Sequence, residues 1–158
     1  MKGSRTSAGI VLYRKAPGGL EVLLAHPGGP FWANKDEGAW TIPKGEIGEG
    51  EEEIVAARRE FEEETGFCPD GPFLDLGEVR QRAGKRVRAW AAEGDADPAA
   101  CRSNPVTVEW PRGSGKQLTF PEVDRCEWFQ PGEAKQRINT AQAVFIDRLE
   151  KELANGSR

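Results

Sequence analysis

The chain has 158 residues and a net charge of −4, with 22 basic and 26 acidic side chains. This balance provides no basic surface of the kind that binds duplex nucleic acid. No apolar run approaches about 18 residues, so we expect no segment that spans a membrane.

The start of the chain, MKGSRTSAGIVLYR, lacks the uninterrupted apolar segment of a secretory signal. The three cysteines are odd in number and show no metal-ligand spacing, as is typical of thiols in a reducing compartment. We therefore expect a cytoplasmic protein. The length predicts a single domain over residues 1–158, ordered from about 4 to 153.

The chain opens with a predicted β-hairpin. Residues 7–14 and 20–25 are apolar runs, and the turn-forming KAPGG sequence at 15–19 lies between them. The HPGGPFW sequence that follows predicts a loop, and loops on a rigid sheet often carry ligand contacts. We expect His26, the one histidine, to be structural. Phe31 and Trp32 are candidate substrate contacts because they could stack on a base, although they could equally seal the core.

A helix is predicted after the next short strand. Residues 40–43 (WTIP) are typical of a strand that runs into a turn at Lys44 and Gly45. The helix that follows is dense in carboxylates, and we expect it to end at Thr65 and Gly66.

Three carboxylates share one side of this helix. Glu60, Glu63 and Glu64 stand at positions i, i+3 and i+4, where each pair repels by about a few tenths of a kcal/mol. A hard divalent cation such as Mg²⁺ would reverse that repulsion, because it binds carboxylate oxygens and often phosphates as well. The apolar residues of the opposite side, which predict a face docked on a sheet, are Ile54, Ala57 and Phe61.

The stretch GEIGEGEEEIVAARREFEEETGF, from Gly45 to Phe67, has a fixed spacing of unlike residues. Gly45 is followed after five residues by Glu51, and seven more lead to REF, then EE and GF. This pattern resembles the signature of the Nudix hydrolase family. Each defined position matches, and the one mild departure is Phe61, where an aliphatic residue is more usual.

The resemblance implies an α/β fold, namely a Nudix-type α/β/α sandwich with a mixed β-sheet between helices. It also implies a Mg²⁺ site, with Mn²⁺ as a possible substitute. Its ligands would be the carbonyl of Gly45 and the carboxylates of Glu60, Glu63 and Glu64. Arg59 would pair with Glu51 to brace the loop against the helix, and we assign Lys44 to substrate binding.

Beyond the helix, residues 73–82 and 86–92 predict two strands around a turn. Arginines recur along them with period two, so each strand presents its arginines on one face. Such a face is either a solvated hairpin surface or a positive rim for a polyphosphate, since arginine suits phosphate geometry. Of these arginines we assign Arg80 and Arg88 to substrate binding, and Lys116 is a weaker candidate.

The second informative stretch is FPEVDRCEWF, from Phe120 to Phe129, which follows a predicted strand at 105–110. Proteins of the family often place a further metal ligand or the catalytic base a few residues before an aromatic residue such as Trp128. Glu122 fits that placement, with Asp124 and Glu127 as the next candidates. Two helices, at 131–138 and 140–153, complete the prediction.

The expected chemistry is Mg²⁺-dependent hydrolysis of a phosphoanhydride in a nucleoside diphosphate linked to another group. The expected base is Glu60 or Glu122, and the sequence does not decide between them, nor the number of metal ions. By resemblance to the diadenosine polyphosphate hydrolase branch, the favoured substrate is a dinucleoside polyphosphate such as Ap4A.

Other substrates and one other class of function stay open. A nucleoside triphosphate pyrophosphohydrolase of MutT type, acting for example on 8-oxo-dGTP, comes second, and hydrolysis of ADP-ribose or a nucleotide sugar third. A nucleotide sensor without turnover is the alternative from a different class. The partner is a nucleotide or dinucleotide in each case, and the oligomeric state is undetermined.

Overall fold

The computed structural model describes residues 6–156. Within this range the strands are β1 Thr6–Ala16, β2 Gly19–Pro27, β3 Lys44–Glu46, β4 Leu74–Arg80, β5 Arg86–Glu93, β6 Pro105–Glu109, β7 Gln117–Pro121 and β8 Val123–Phe129. The helices are α1 Glu53–Thr65, α2 Pro131–Arg137 and α3 Ala143–Gly156. The expected start of order near residue 4 lies outside the described residues.

The main sheet is mixed, with strand order β4-β5-β1-β2-β8. β1 pairs with β5 in parallel and with β2 and β3 in antiparallel orientation. One edge of β1 is shared, because Ser7–Gly9 pair with β3 and Tyr13–Ala16 pair with β2. β2 and β3 therefore lie one after the other along the same edge of β1, and β3 is the strand that precedes α1.

Helices cover both faces of the sheet, because successive residues of a strand point to opposite sides. Ile10 and Leu12 of β1 pack on the α1 side with Phe61, whereas Val11 and Tyr13 pack on the α3 side with Phe145. The predicted α/β/α sandwich with a mixed sheet is confirmed. Over the described residues, none of the helices combines the length and apolar character needed to cross a membrane.

Several predicted elements have different bounds in the structure. β2 continues to Pro27, so His26 lies in a strand and not in a loop. Residues 40–43 form isolated bridges only, and the strand begins at Lys44. β4 is shorter than predicted, since residues 82–84 form a 3₁₀ turn. Thr140–Gln142 is a separate 3₁₀ turn, capped by the Asn139 side chain, and α3 continues to Gly156.

The unpredicted strand β7 pairs with β6 as a separate two-stranded hairpin, which we call the β6–β7 hairpin. Its turn contains Gly113 and Gly115, both with positive φ. Val106 and Val108 face one side of it and Thr107 the other, so the hairpin has an apolar and a polar face.

Candidate active site

The acidic end of α1 lies against β3. The helix buries Ala56, Ala57 and Phe61 under the sheet. It ends as predicted, at a left-handed Gly66 whose N–H donates to the carbonyl of Glu62 at 2.8 Å. Glycine adopts this conformation at little cost, which explains the sharp end of the helix.

Gly45 is the point at which β3 meets Glu60. A Cβ atom at position 45 would overlap the Oε1 and Cδ atoms of Glu60. The carboxylate therefore packs directly on the backbone of β3, in the space that a Cβ atom at position 45 would occupy. The structure thus brings together two residues that the sequence assigned to the metal shell.

Arg59 braces the loop before α1 against the helix. Its Nε and Nη2 donate to the two carboxylate oxygens of Glu51 at 2.8 and 2.9 Å. Its Nη1 donates to Glu60 Oε2 at 2.8 Å and to Glu63 Oε2 at 3.2 Å. Hydrogen bonds from Arg59 and the Gly48 N–H lower the pKa of Glu51 to about 2. The expected contact between Glu51 and Arg59 is confirmed, and Arg59 also holds two of the three clustered carboxylates.

Glu64 is the most deeply buried of these carboxylates, with 5% exposure. The backbone N–H of Lys44 donates to its Oε1 at 3.2 Å. Burial, and next the negative charge of Glu122, raise the pKa of Glu64 to about 8. Burial also raises the pKa of Glu60. Carboxylates that are costly to ionise in the folded protein favour a bound cation.

Glu122 lies between β7 and β8 on the same side as α1. Its charge raises the pKa of both Glu60 and Glu64, and its own pKa is raised by burial and by Glu63. Its carbonyl accepts from the Gly28 N–H at 2.8 Å. The structure therefore places Glu122 near the helix carboxylates, at the end of the loop that carries Phe31 and Trp32.

The two other candidates in this stretch have partners elsewhere. Asp124 faces Nδ1 of His26 at 2.9 Å, and Arg125 pairs with Glu127 at 3.4 Å. His26 is fully buried, and its Nε2 donates to the Lys35 carbonyl at 2.7 Å. The structural role expected for His26 agrees with this packing.

An apolar slot adjoins Glu122. It has a volume of about 330 Å³ and lies between the loop after β2 and the β6–β7 hairpin. Phe31 and Trp32 form part of one wall, with their rings edge to face at 4.9 Å. The apolar residues that the hairpin contributes are Val106, Val108, Trp110 and Phe120. A strand at 105–110 was predicted, but its pairing with β7 was not, although the alternating VTVEW and KQLTF runs around a Gly-Ser-Gly turn are a hairpin signal.

A basic pocket with a volume of about 690 Å³ lies between residues 80–85, at the end of β4, and residues 139–141. Its basic side chains are Arg80, Arg82 and Lys85. The charge of Lys85 contributes to lowering the pKa of Lys44, after the larger effect of burial. The positive charge of this pocket therefore acts on Lys44, on which the negative charges of Glu64, Glu122 and Glu60 also act.

Arg88 does not join this pocket. It pairs with Asp75 at 2.5 Å and with Glu53 at 3.6 Å, and its guanidinium lies over the ring of Trp90. These contacts connect β5 to β4 and to the start of α1. Arg80 lines the pocket. The structure therefore separates the two arginines that were predicted from the sequence to bind substrate.

The donor set at the end of α1 fits a hard cation, because it consists of carboxylate oxygens. Across the described residues, no three carboxylate, imidazole or thiol groups form a preassembled metal cage. Nη1 of Arg59 lies between Glu60 and Glu63, where two carboxylates could share an ion. The residues that would hold Mg²⁺ thus lie close together, around the Arg59 guanidinium.

Two curated proteins share segments of this sequence. A segment of 64 residues is 43% identical to the asymmetrical bis(5′-nucleosyl)-tetraphosphatase of Caenorhabditis elegans, covering 40% of this chain and 42% of that protein. A segment of 109 residues is 37% identical to an 8-oxo-(d)GTP phosphatase of Mycolicibacterium smegmatis, covering 58% of this chain and 31% of that protein. The matched segments span less than half of either relative.

Solved structures show the same fold at low sequence identity. A Caenorhabditis elegans Ap4A hydrolase binary complex has a TM-score of 0.68 at 23% identity, covering 94% of this chain and 98% of that one. The NUDIX domain of Shewanella oneidensis NrtR, complexed with ADP ribose, has a TM-score of 0.68 at 19% identity, covering 97% and 90%.

The NUDIX domain profile matches residues 3–149, which include the whole sheet and α1. The match extends well beyond the signature that runs from Gly45 to Phe67. The chain therefore belongs to the Nudix family.

Proposed function

We propose that this protein is a Mg²⁺-dependent pyrophosphohydrolase that cleaves a phosphoanhydride bond in a dinucleoside polyphosphate such as Ap4A. The observation that carries the proposal is the carboxylate cluster of Glu60, Glu63 and Glu64, with Glu122 nearby and an apolar slot beside it. A polyphosphate is strongly anionic, so an acidic site of this kind needs a cation to accept it.

The residues of the chain have distinct roles in this proposal. Glu60, Glu63, Glu64, Glu122 and the Gly45 carbonyl would hold Mg²⁺, with Mn²⁺ as a substitute. The bound ion would neutralise phosphate charge and position the attacking water. Arg59 keeps the helix and its loop in register through Glu51. Removal of the base, Glu60 or Glu122, should lower the rate by about 10²–10⁴-fold.

Two recognition surfaces favour a substrate with two ends. The apolar slot, with Phe31 and Trp32, offers stacking to one base. The basic pocket, with Arg80, offers positive charge to phosphates further along the substrate, and the charges of both Lys85 in this pocket and Glu64 act on Lys44. A dinucleoside polyphosphate has a base for the first surface and further phosphates for the second.

The test is a substrate panel with Mg²⁺: Ap4A, dGTP, 8-oxo-dGTP and ADP-ribose, with product analysis. We expect the highest kcat/KM for Ap4A, with ATP and AMP as products. Faster turnover of a triphosphate to the monophosphate and pyrophosphate would replace this substrate with the MutT-type one, which the Mycolicibacterium relative supports. Tight nucleotide binding without turnover of any compound would favour the sensor function.

Glu64→Gln tests the metal-binding carboxylates directly. We expect at least about a 100-fold loss of Mg²⁺-dependent turnover, because the change removes an anionic ligand, while the fold is retained. The matched control is Glu62→Gln, an exposed glutamate on the same helix. Retained activity in Glu64→Gln, with an unchanged Mg²⁺ requirement, would exclude Glu64 from the metal shell.

A further inference from the structure

Two cysteines that are distant in the sequence lie side by side in the structure. The Sγ atoms of Cys101 and Cys126 are 2.8 Å apart, and both residues are free thiols. Cys126 lies on β8 with 2% exposure, whereas Cys101 follows the Pro98–Ala100 turn and is partly exposed. A disulfide needs the sulfurs at about 2.05 Å, so a small approach would convert this contact into a bond.

The thiol pair lies directly behind the carboxylate cluster. The Sγ of Cys101 faces the backbone carbonyl of Glu64 at 3.9 Å. The residues after it, 102–104, form what we call the brace segment. Its amides donate to the carbonyls of Thr65 and Glu63 at 2.9 and 2.8 Å, and its last carbonyl accepts from the Glu122 N–H at 3.0 Å. The brace segment therefore connects the end of α1 to Glu122.

We propose that Cys101 and Cys126 are a redox-active pair that forms a reversible disulfide when the protein encounters hydrogen peroxide. The sulfur of Cys101, the more accessible of the two, attacks one peroxide oxygen and becomes a sulfenic acid, and one water leaves. The sulfur of Cys126 then attacks the Cys101 sulfur, the S–S bond forms, and the sulfenic oxygen leaves as a second water. Two thiols are oxidised and one peroxide is reduced to two waters.

The bond would join Cys101, which immediately precedes the brace segment, covalently to Cys126 on β8. It would close a loop that contains the β6–β7 hairpin and Glu122, which restricts the unfolded chain and stabilises the fold. Because the sulfurs are already in contact, we expect the disulfide to form without a large rearrangement of α1 or β8. The inference rests on the packing of the two thiols and does not depend on the proposed hydrolysis.

The experiment uses the 158-residue chain with Cys68→Ser, because Cys68 is exposed and could cross-link two molecules. The protein is treated with hydrogen peroxide and studied by intact-mass spectrometry and non-reducing peptide mapping. We expect a monomer that has lost two hydrogen atoms, with the peptides of Cys101 and Cys126 linked, and full reversal by dithiothreitol. The Tm should rise by roughly 5–10 °C on oxidation.

Cys101→Ser and Cys126→Ser, each in the Cys68→Ser background, are the matched controls. Neither should form the link, nor show the rise in Tm. Oxidation of Cys101 to the sulfinic acid without a link would overturn the proposal, as would covalent dimers or an unchanged mass at peroxide doses that oxidise Cys68 in the native chain. A link that leaves the Tm unchanged would contradict the stabilising role of the bond.

Discussion

At the scale of single residues, Gly45 determines where the Glu60 carboxylate can lie. Gly45→Ala would place a methyl group on the Oε1 and Cδ atoms of Glu60 and push the carboxylate off β3. We expect kcat for the preferred substrate to fall by about 10²-fold or more, because Glu60 is a proposed metal ligand and one of the two candidate bases, and a positioned base contributes at least that much. Steady-state kinetics with saturating Mg²⁺ would measure the loss.

Gly132→Ala provides the control for this substitution. Gly132 lies in α2, and an added Cβ would meet nothing within 4 Å. Alanine is favoured over glycine in a helix by about 1 kcal/mol, so this variant should be active and slightly more stable. Equal kinetics for the two variants would show that Glu60 does not depend on Gly45.

Glu64 gives the site a dependence on pH. Its folded-state pKa is raised from 4.5 to about 8, so below about pH 8 the metal-free protein favours the protonated form of Glu64. A raised carboxyl pKa contributes stability that is complete below the unfolded pKa and is lost as the pH rises through the folded pKa. Mg²⁺ binds the ionised form, so we expect the increase in Tm on adding Mg²⁺ to be larger at pH 8.5 than at pH 6.

Thermal melts with and without Mg²⁺, across this pH range, would measure that increase. In Glu64→Gln the increase should be smaller and flatter with pH, because glutamine does not titrate. The same trend in the variant as in the native protein would assign the pH dependence to Glu60 or Glu122, whose pKa values are also raised by burial.

At the scale of elements, the β6–β7 hairpin supplies one wall of the apolar slot. Trp110→Ala should raise KM for the preferred nucleotide by about tenfold and leave kcat within about twofold, since stacking on one base contributes about 1–3 kcal/mol. The control is Gln117→Ala, on the polar face of the same hairpin. Unchanged KM in Trp110→Ala would separate the hairpin from base recognition.

Elements with local signals were predictable from the sequence. The spacing of Glu60, Glu63 and Glu64 places them on one side of α1, and the signature residues lie within 23 consecutive positions. The apolar run of residues 7–14 likewise predicts a strand. β7 was not predicted, although its KQLTF run and the alternating VTVEW run before the Gly-Ser-Gly turn are such a signal.

Contacts between distant segments left no pattern in the sequence. Cys101 and Cys126 meet only because the hairpin between them returns the chain to β8. Arg88 on β5 pairs with Asp75 on the neighbouring β4 and with Glu53 on α1. The period-two spacing of the arginines did not predict these partners. Residue spacing predicts the face of a helix or strand on which a side chain lies. The residues that contact that face depend on the tertiary fold.

At the scale of the whole molecule, the sheet and α1 share one apolar layer, in which Phe61 is fully buried. Phe61→Ala should lower the free energy of unfolding by about 3–5 kcal/mol. Phe61→Leu keeps an apolar side chain there, and we expect it to cost about 1.5 kcal/mol or less. Urea denaturation of both variants checks this, and similar losses for the two would mean that α1 is not anchored through Phe61.

The position of Arg59 affects how the folded protein would bind a cation. Its guanidinium already neutralises Glu60 and Glu63, so the resting molecule supplies its own counter-charge. In the proposed function, Mg²⁺ uptake would therefore exchange one cation for another at these two carboxylates. The two bonds from Arg59 to Glu51 can persist during that exchange and keep the loop anchored.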